Sequence, residues 1–175
     1  MTLSDTLLQI IDMRSFSNLW FWIALAVMWA TVSHWVLGVP NDMIIRARRN
    51  GGQAEIDLED LVRINCNRLL YIGQVSGLWL LGFGCFLFTT LVILGFVYDV
   101  QLAQAVFLLG LPMSMVGLLN LSTARLIATE QPNGEDLRRR LSRQRTYTQV
   151  IGMISIFVTS LWGMYQNLRD LVFLQ

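Results

Sequence analysis

The chain has no lysine; all thirteen of its basic residues are arginine. It therefore has no amine side chain for Schiff-base or general-base chemistry. Charge itself is scarce. Charged residues make up 14% of the 175 positions, where a soluble domain has about 25%. Hydrophobic residues make up 54%, and the mean hydropathy is +0.52. These values exclude a soluble enzyme domain, a disordered regulator and a nucleic-acid-binding module. The net charge of +1 provides no overall field to gather a polyanion. Cysteine is nearly absent, and Cys66 and Cys85 alone make no disulfide framework. On one continuous helix they would stand roughly 28 Å apart, beyond disulfide reach. They form no CxxC and cannot hold an iron–sulfur cluster alone, so they read as small packing residues. A Gly-rich phosphate loop, paired catalytic carboxylates and a Ser-His-Asp set are also missing.

Long apolar runs dominate what remains. The pattern predicts an all-α, polytopic membrane helical bundle forming one unit over 1–175. Crossing about 30 Å of hydrocarbon takes about 20 residues. Four stretches qualify: 19–38, 69–97, 101–121 and 148–167. Trp20, Trp22 and Trp35 flank the first, as interfacial aromatics do, and Pro40 ends it. Pro112 lies inside the third and predicts a kink. The fourth is the weakest, because Gly152, Ser155, Thr159, Ser160 and Gly163 punctuate it. Three spans with that segment lying in the interface is the alternative. Ahead of the first span, residues 3–16 predict an amphipathic surface helix with Ser4 as cap and Leu3, Leu7, Ile10 and Ile11 on one face. No secretory signal is expected, since the start is not basic.

Arginine sets the orientation. The loop 39–68 holds Arg46, Arg48, Arg49, Arg63 and Arg68, and the loop 122–147 holds Arg125, Arg138, Arg139, Arg140, Arg143 and Arg145. The short connection at Tyr98 and Asp99 holds none. Four spans put both basic loops on one side, which the positive-inside rule makes cytoplasmic. Both termini then face the periplasm of a bacterial inner membrane. The first loop predicts two amphipathic helices around Asn50-Gly51-Gly52, with Asn41 and Asp42 as caps. A Glu59–Arg63 ion pair and a buried stripe of Ile56, Val62 and Leu69 are expected on the second helix. Its acidic start, Glu55, Asp57, Glu59 and Asp60, suits either a solvated helix start or a docking surface for a cytoplasmic partner. The second loop turns at Gln131-Pro132-Asn133-Gly134. Its arginines, Arg138, Arg139, Arg140, Arg143 and Arg145, suit anionic lipid headgroups. Nucleic acid is not expected there, because aromatic interleaving is limited to Tyr147.

No carboxylate lies within the apolar stretches, which argues against a proton-coupled transporter acting alone. His34 is the one histidine, and Ala30 precedes it by one turn. Ala-x-x-x-His with nearby Trp resembles the pigment-binding motif of purple-bacterial light-harvesting polypeptides. That resemblance implies His34 as an axial ligand to bacteriochlorophyll, with Ala30, Trp29 and Trp35 as contacts. The bulky Trp22–Trp29 face suits lipid, a quinone, a carotenoid or another subunit, and lipid or packing within the bundle is the plainer expectation. Gly73 and Gly77 form GxxxG with Gly84 on a similar face, and Ser155, Thr159 and Gly163 form a second small-residue stripe. Both are expected to pack the spans together. Pro112 with Met113 and Met115 suits either a kink or an adaptable contact.

Two longer stretches, DMRSFSNLWFWIALA from Asp12 to Ala26 and SHWVLGVPNDMIIRARRNGGQAEIDLEDLVRINCNRLLYI from Ser33 to Ile72, resemble small integral membrane proteins of Rhodobacter-type alphaproteobacteria. Members are sometimes named a component of an iron–sulfur-cluster assembly complex. The resemblance brings no catalytic residues. It implies a purple-bacterial inner membrane, where small helical proteins join larger complexes. Three functions follow as expectations. The first is a non-catalytic accessory subunit, best placed in a light-harvesting–reaction-centre core among antenna or reaction-centre polypeptides, filling the ring or assisting quinone passage. The second is an adaptor for cytoplasmic machinery such as iron–sulfur assembly proteins. The third is a transport component.

Overall fold

The computed structural model describes Phe16 and residues 18–173, with side chains to Arg169. The predicted surface helix at the start of the chain falls outside the described residues. The rest is almost all helix: α1 (Leu19–His34), a two-strand hairpin β1 (Trp35–Val36) and β2 (Val39–Pro40), α2 (Asn41–Asn50), α3 (Gln53–Val92), a π-helical turn (Ile93–Val97), α4 (Gln101–Glu130) and α5 (Gly134–Phe173). Among the described residues, three stretches are long and apolar enough to cross a membrane: Gln53–Val97, Gln101–Glu130 and Gly134–Arg169. The chain is thus all-α with three candidate membrane helices and one shorter apolar helix.

That shorter helix corrects the expected span 19–38. Asn18 starts α1, its Oδ1 accepting the Trp20 N–H at 3.0 Å. The helix then ends at His34 after 16 residues, about 24 Å against about 30 Å of hydrocarbon. What stops it is the hairpin rather than Pro40. Leu37 and Gly38 both take positive φ, 53° and 74°, the backbone of a two-residue turn whose twist matches the paired strands. Trp35 pairs with Pro40 and Val36 with Val39. Asn65 of α3 donates to the Gly38 carbonyl at 3.2 Å and fastens the turn.

The other boundaries shift outward. The helices run past the apolar stretches 69–97, 101–121 and 148–167, because their polar flanks continue the same helices. The last apolar segment, weakest in the sequence, belongs to the 40-residue α5 and packs lengthwise beside α4. The turns fall where expected: Gly51 and Gly52 have φ of 58° and 52°, and Gln131 and Gly134 have φ of 45° and 57°. Asn41 and Asp42 lie in the first turn of α2, but Pro40 is the cap and no side chain bonds there.

The extended ends build a head at the Arg-rich end. Val36, Leu37 and Val39 of the hairpin, Ile44 and Ala47 of α2, Leu58, Val62 and Cys66 of α3, Ala124 and Ile127 of α4, and Leu137 and Leu141 of α5 form one buried core. The buried stripe on α3 is thus Leu58, Val62 and Cys66 at helical spacing, not Ile56, Val62 and Leu69; Ile56 is exposed and Leu69 half-buried. Ion pairs fasten the rim. Arg138 pairs with Glu55 and Arg140 with Glu130. Glu59 accepts the Gly134 N–H at 2.8 Å. Arg63 pairs with Asp60 at 2.8 Å instead of with Glu59.

Below the head the helices pack in the order α3, α4, α5, α1. The contact between α1 and α5 is a Trp–Gly seam. A Cβ at Gly152 would lie 2.7 Å from Trp29 Cε3, and one at Gly163 would lie 3.1 Å from Trp22 Cζ2. Leu25 and Trp29 are buried there with Val116 of α4. Larger side chains have no room, and overpacking costs about 1–3 kcal/mol. Gly152→Ala is therefore expected to lower stability by about that amount in detergent unfolding. Adding Trp29→Ala should make the two losses clearly less than additive. Strict additivity would mean that the two residues do not touch.

Candidate functional site

The residues expected to meet a pigment divide between two faces of α1. Ala30 and His34 are both exposed on the outside, and Trp35, on β1, is 51% exposed and meets His34 edge-to-face with ring centroids 6.1 Å apart. Trp29 is 3% exposed and fills the notch at Gly152. Burial removes it as a contact on the His34 face. Trp22 turns the same way, half-buried, its Nε1 donating to the Phe16 carbonyl at 3.1 Å. The Trp22–Trp29 face is therefore spent on packing within the bundle.

The small-residue stripes also part company. Gly73 approaches Leu121 of α4, with a built Cβ 3.2 Å from its Cδ1. Gly77 and Gly84 meet nothing within 4 Å of a built Cβ, so this part of the GxxxG face does not pack the chain's own helices. On α5, Ser155, Thr159 and Gly163 all turn inward. Ser155 and Thr159 line a cleft of about 200 Å³ with Pro112 and Met115 of α4. Among the described residues their hydroxyls have no hydrogen-bond partner. The five arginines expected at headgroups also divide: Arg138 and Arg140 are engaged by carboxylates, Arg139 and Arg143 stand exposed, and Arg145 is half-buried.

A polar clasp at the far end of the bundle went unread in the sequence. Gln104 of α4 is 1% exposed and Gln166 of α5 is fully buried. Gln104 Nε2 donates to the Gly95 carbonyl at 2.7 Å and to Asp99 Oδ1 at 3.0 Å. Its Oε1 accepts from Trp162 Nε1 at 3.0 Å and from Gln166 Nε2. The π-helical turn makes this possible: a wider turn offers the Gly95 carbonyl sideways. Glycine at 95 allows the close approach, since a Cβ would lie 3.1 Å from the Gln104 backbone nitrogen. Arg169 then pairs with Asp99 across the connection. Two glutamines inside apolar runs were the available signal, since a polar group there must find a partner. A second stitch joins α4 and α5 near the head: Thr123 donates to Gln144 Oε1 at 2.8 Å, and Gln144 donates to Asn120 at 3.0 Å.

No protein family, curated protein or solved structure matches the chain. Among the described residues no group of three or more His, Cys, Asp or Glu is placed to hold a metal ion. The hydrogen bonds of the two polar sites hold the helices at fixed spacing.

The clasp has a pH signature. The Arg169 guanidinium bonded to Asp99 holds that carboxyl below its ordinary value near 3.8. Above 3.8 Asp99 is ionised folded or unfolded, and its pairing stabilises the fold in full. As pH falls through the lower folded value, protonation removes that contribution. The wild-type midpoint of unfolding should therefore drop below about pH 4, whereas Asp99→Asn should start lower at neutral pH and lose less on acidification. Gln104→Leu should cost about 0.5–2 kcal/mol at neutral pH, by orphaning the Trp162 and Gln166 donors.

Proposed function

We propose that the chain is a non-catalytic accessory subunit of a larger bacterial membrane complex, held in it chiefly through α3. The supporting observation is the asymmetry of the bundle. In the apolar stretch of α3, 6% of residues are buried, against 28% in α4 and α5. Gly77 and Gly84 lie open on that helix beside exposed Leu78, Trp79 and Phe83. In lipid, helices associate through such small-residue faces, where backbones approach closely.

The proposal includes four crossings. The Trp–Gly seam sets α1 antiparallel to α5, with its start near Gly163 and its end near Gly152. The hairpin then completes the passage to the head. With the arginines placed by the positive-inside rule, the head is cytoplasmic, both termini are periplasmic and the membrane is the inner one.

A light-harvesting–reaction-centre core is the narrower assignment. It rests on the resemblance to Rhodobacter-type membrane proteins and on the outward Ala30–His34 face. The adaptor reading is less supported: Glu55 and Glu59, half of the acidic start of α3, are used inside the head. A transport component finds less support still, with no carboxylate inside the apolar stretches.

Tagging at Gly51-Gly52 and gentle solubilisation from photosynthetic membranes should recover reaction-centre and antenna polypeptides with bacteriochlorophyll absorption. Gly77→Leu with Gly84→Leu should reduce that recovery several-fold while leaving the chain folded. A colourless eluate with soluble assembly proteins would overturn the assignment in favour of the adaptor. His34→Leu is expected to lower the pigment count per complex; an unchanged count removes the pigment reading and leaves the subunit reading standing.

A further inference from the structure

The two helices of the head that carry most of the arginine face each other across a cleft of about 800 Å³. Arg48 of α2 lies on one wall; Arg139, Arg143 and Arg145 of α5 lie on the other, with the hydroxyls of Ser142 and Thr146. The cleft also takes in Arg138, which Glu55 already neutralises, and one carboxylate, Glu135. Among the described residues no ion pair reaches Arg48, Arg139, Arg143 or Arg145. Arg63, Arg138 and Arg140, by contrast, each have a carboxylate partner. Within the cleft Arg145 Nε is buried and has no hydrogen-bond acceptor among the described residues. A buried guanidinium N–H without an acceptor is costly, and like charges one turn apart repel. Both costs are lifted by an anion that accepts several N–H bonds at once.

We propose that this cleft binds the phosphate group of an anionic lipid headgroup. Phosphate oxygens accept the paired N–H groups of arginine in a fork geometry, and hydroxyls complete the shell. The position selects a lipid over a soluble anion. Arg145 stands five residues before Val150, where the apolar part of α5 is under way, about 7.5 Å along the helix. Ile45, 43% exposed, lines the same cleft and offers an apolar surface to an acyl chain. The result is a basic pocket at the membrane face of a helical bundle, between elements rather than along one helix. The binding does not depend on which complex the chain joins.

The test uses the full chain in nanodiscs of phosphatidylcholine with or without phosphatidylglycerol. Native mass spectrometry counts retained lipid and a thermal melt reads protection. Arg143→Gln with Arg145→Gln is compared with Arg46→Gln with Arg49→Gln, which removes equal charge outside the cleft. The cleft pair should weaken phosphatidylglycerol retention about tenfold or more, and the control pair much less. Arg48→Gln, on an exposed wall of α2, repeats the test should the half-buried Arg145 prove needed for folding. Equal losses in the cleft and control pairs, or no preference for phosphatidylglycerol in the wild type, would overturn the proposal. Competition separates the sources: inorganic phosphate or glycerol phosphate at millimolar concentration should compete weakly. Full displacement by inorganic phosphate would overturn the lipid assignment and make the cleft a soluble-phosphate site.

Discussion

The structure depends on two tryptophans pressed against two glycines. Trp29 in the notch of Gly152 and Trp22 against Gly163 fix α1 along α5. In lipid, helices gain little from hydrophobicity itself, so shape complementarity of this kind decides which surfaces meet. Once α1 occupies one flank of α5 and α4 the other, α3 is left with α4 as its main neighbour. The same seam delivers the end of α1 to the head, where Val36, Leu37 and Val39 enter the buried core. The exposed flank of α3 is thus a consequence of where the tryptophans sit.

Polar groups work at the two ends of the α4–α5 contact. Gln104, Gln166 and Trp162 close one end, and Asn120, Thr123 and Gln144 close the other. Each buried amide is costly unless paired, so these sites specify register more than they add raw stability. Between them, the proline of α4 faces the hydroxyls of Ser155 and Thr159 in an open cleft. The bundle is tight where amides and glycines hold it and looser at Pro112.

Turns built on glycine were legible in the sequence, because the chain needs positive φ at Gly51, Gly52 and Gly134, and few other residues accept it. The end of α1 was not. Trp35 to Val39 is apolar throughout, and a short apolar run does not tell strand from helix by periodicity. The α3 stripe was misphased for a similar reason: Ile56 and Leu58 are both apolar, and the partner elements decide which is covered. Glycine stripes announce close approach without naming the partner, so the spacing predicts packing at Gly77 and Gly84 and marks Gly152 only as an interruption of the apolar run. The Arg138–Glu55 and Arg140–Glu130 pairs join residues far apart in sequence, beyond the reach of local spacing rules. The polar clasp had its signal in Gln104 and Gln166, though their meeting depends on the π-helical turn.

A head fastened by its own ion pairs, a seam that hides the bulky face of α1 and a sparsely covered apolar stretch of α3 are the features on which the proposed subunit role rests. The most direct measurement is site-specific photo-crosslinking in native membranes. A benzophenone side chain is placed at position 84 on α3 and, for comparison, at position 153 on α5, where Met153 is exposed. The account predicts an adduct to a discrete integral membrane polypeptide from position 84 and chiefly lipid adducts from position 153. Lipid adducts alone from both positions would contradict it, since α3 would then be bare in the membrane as it is in the chain.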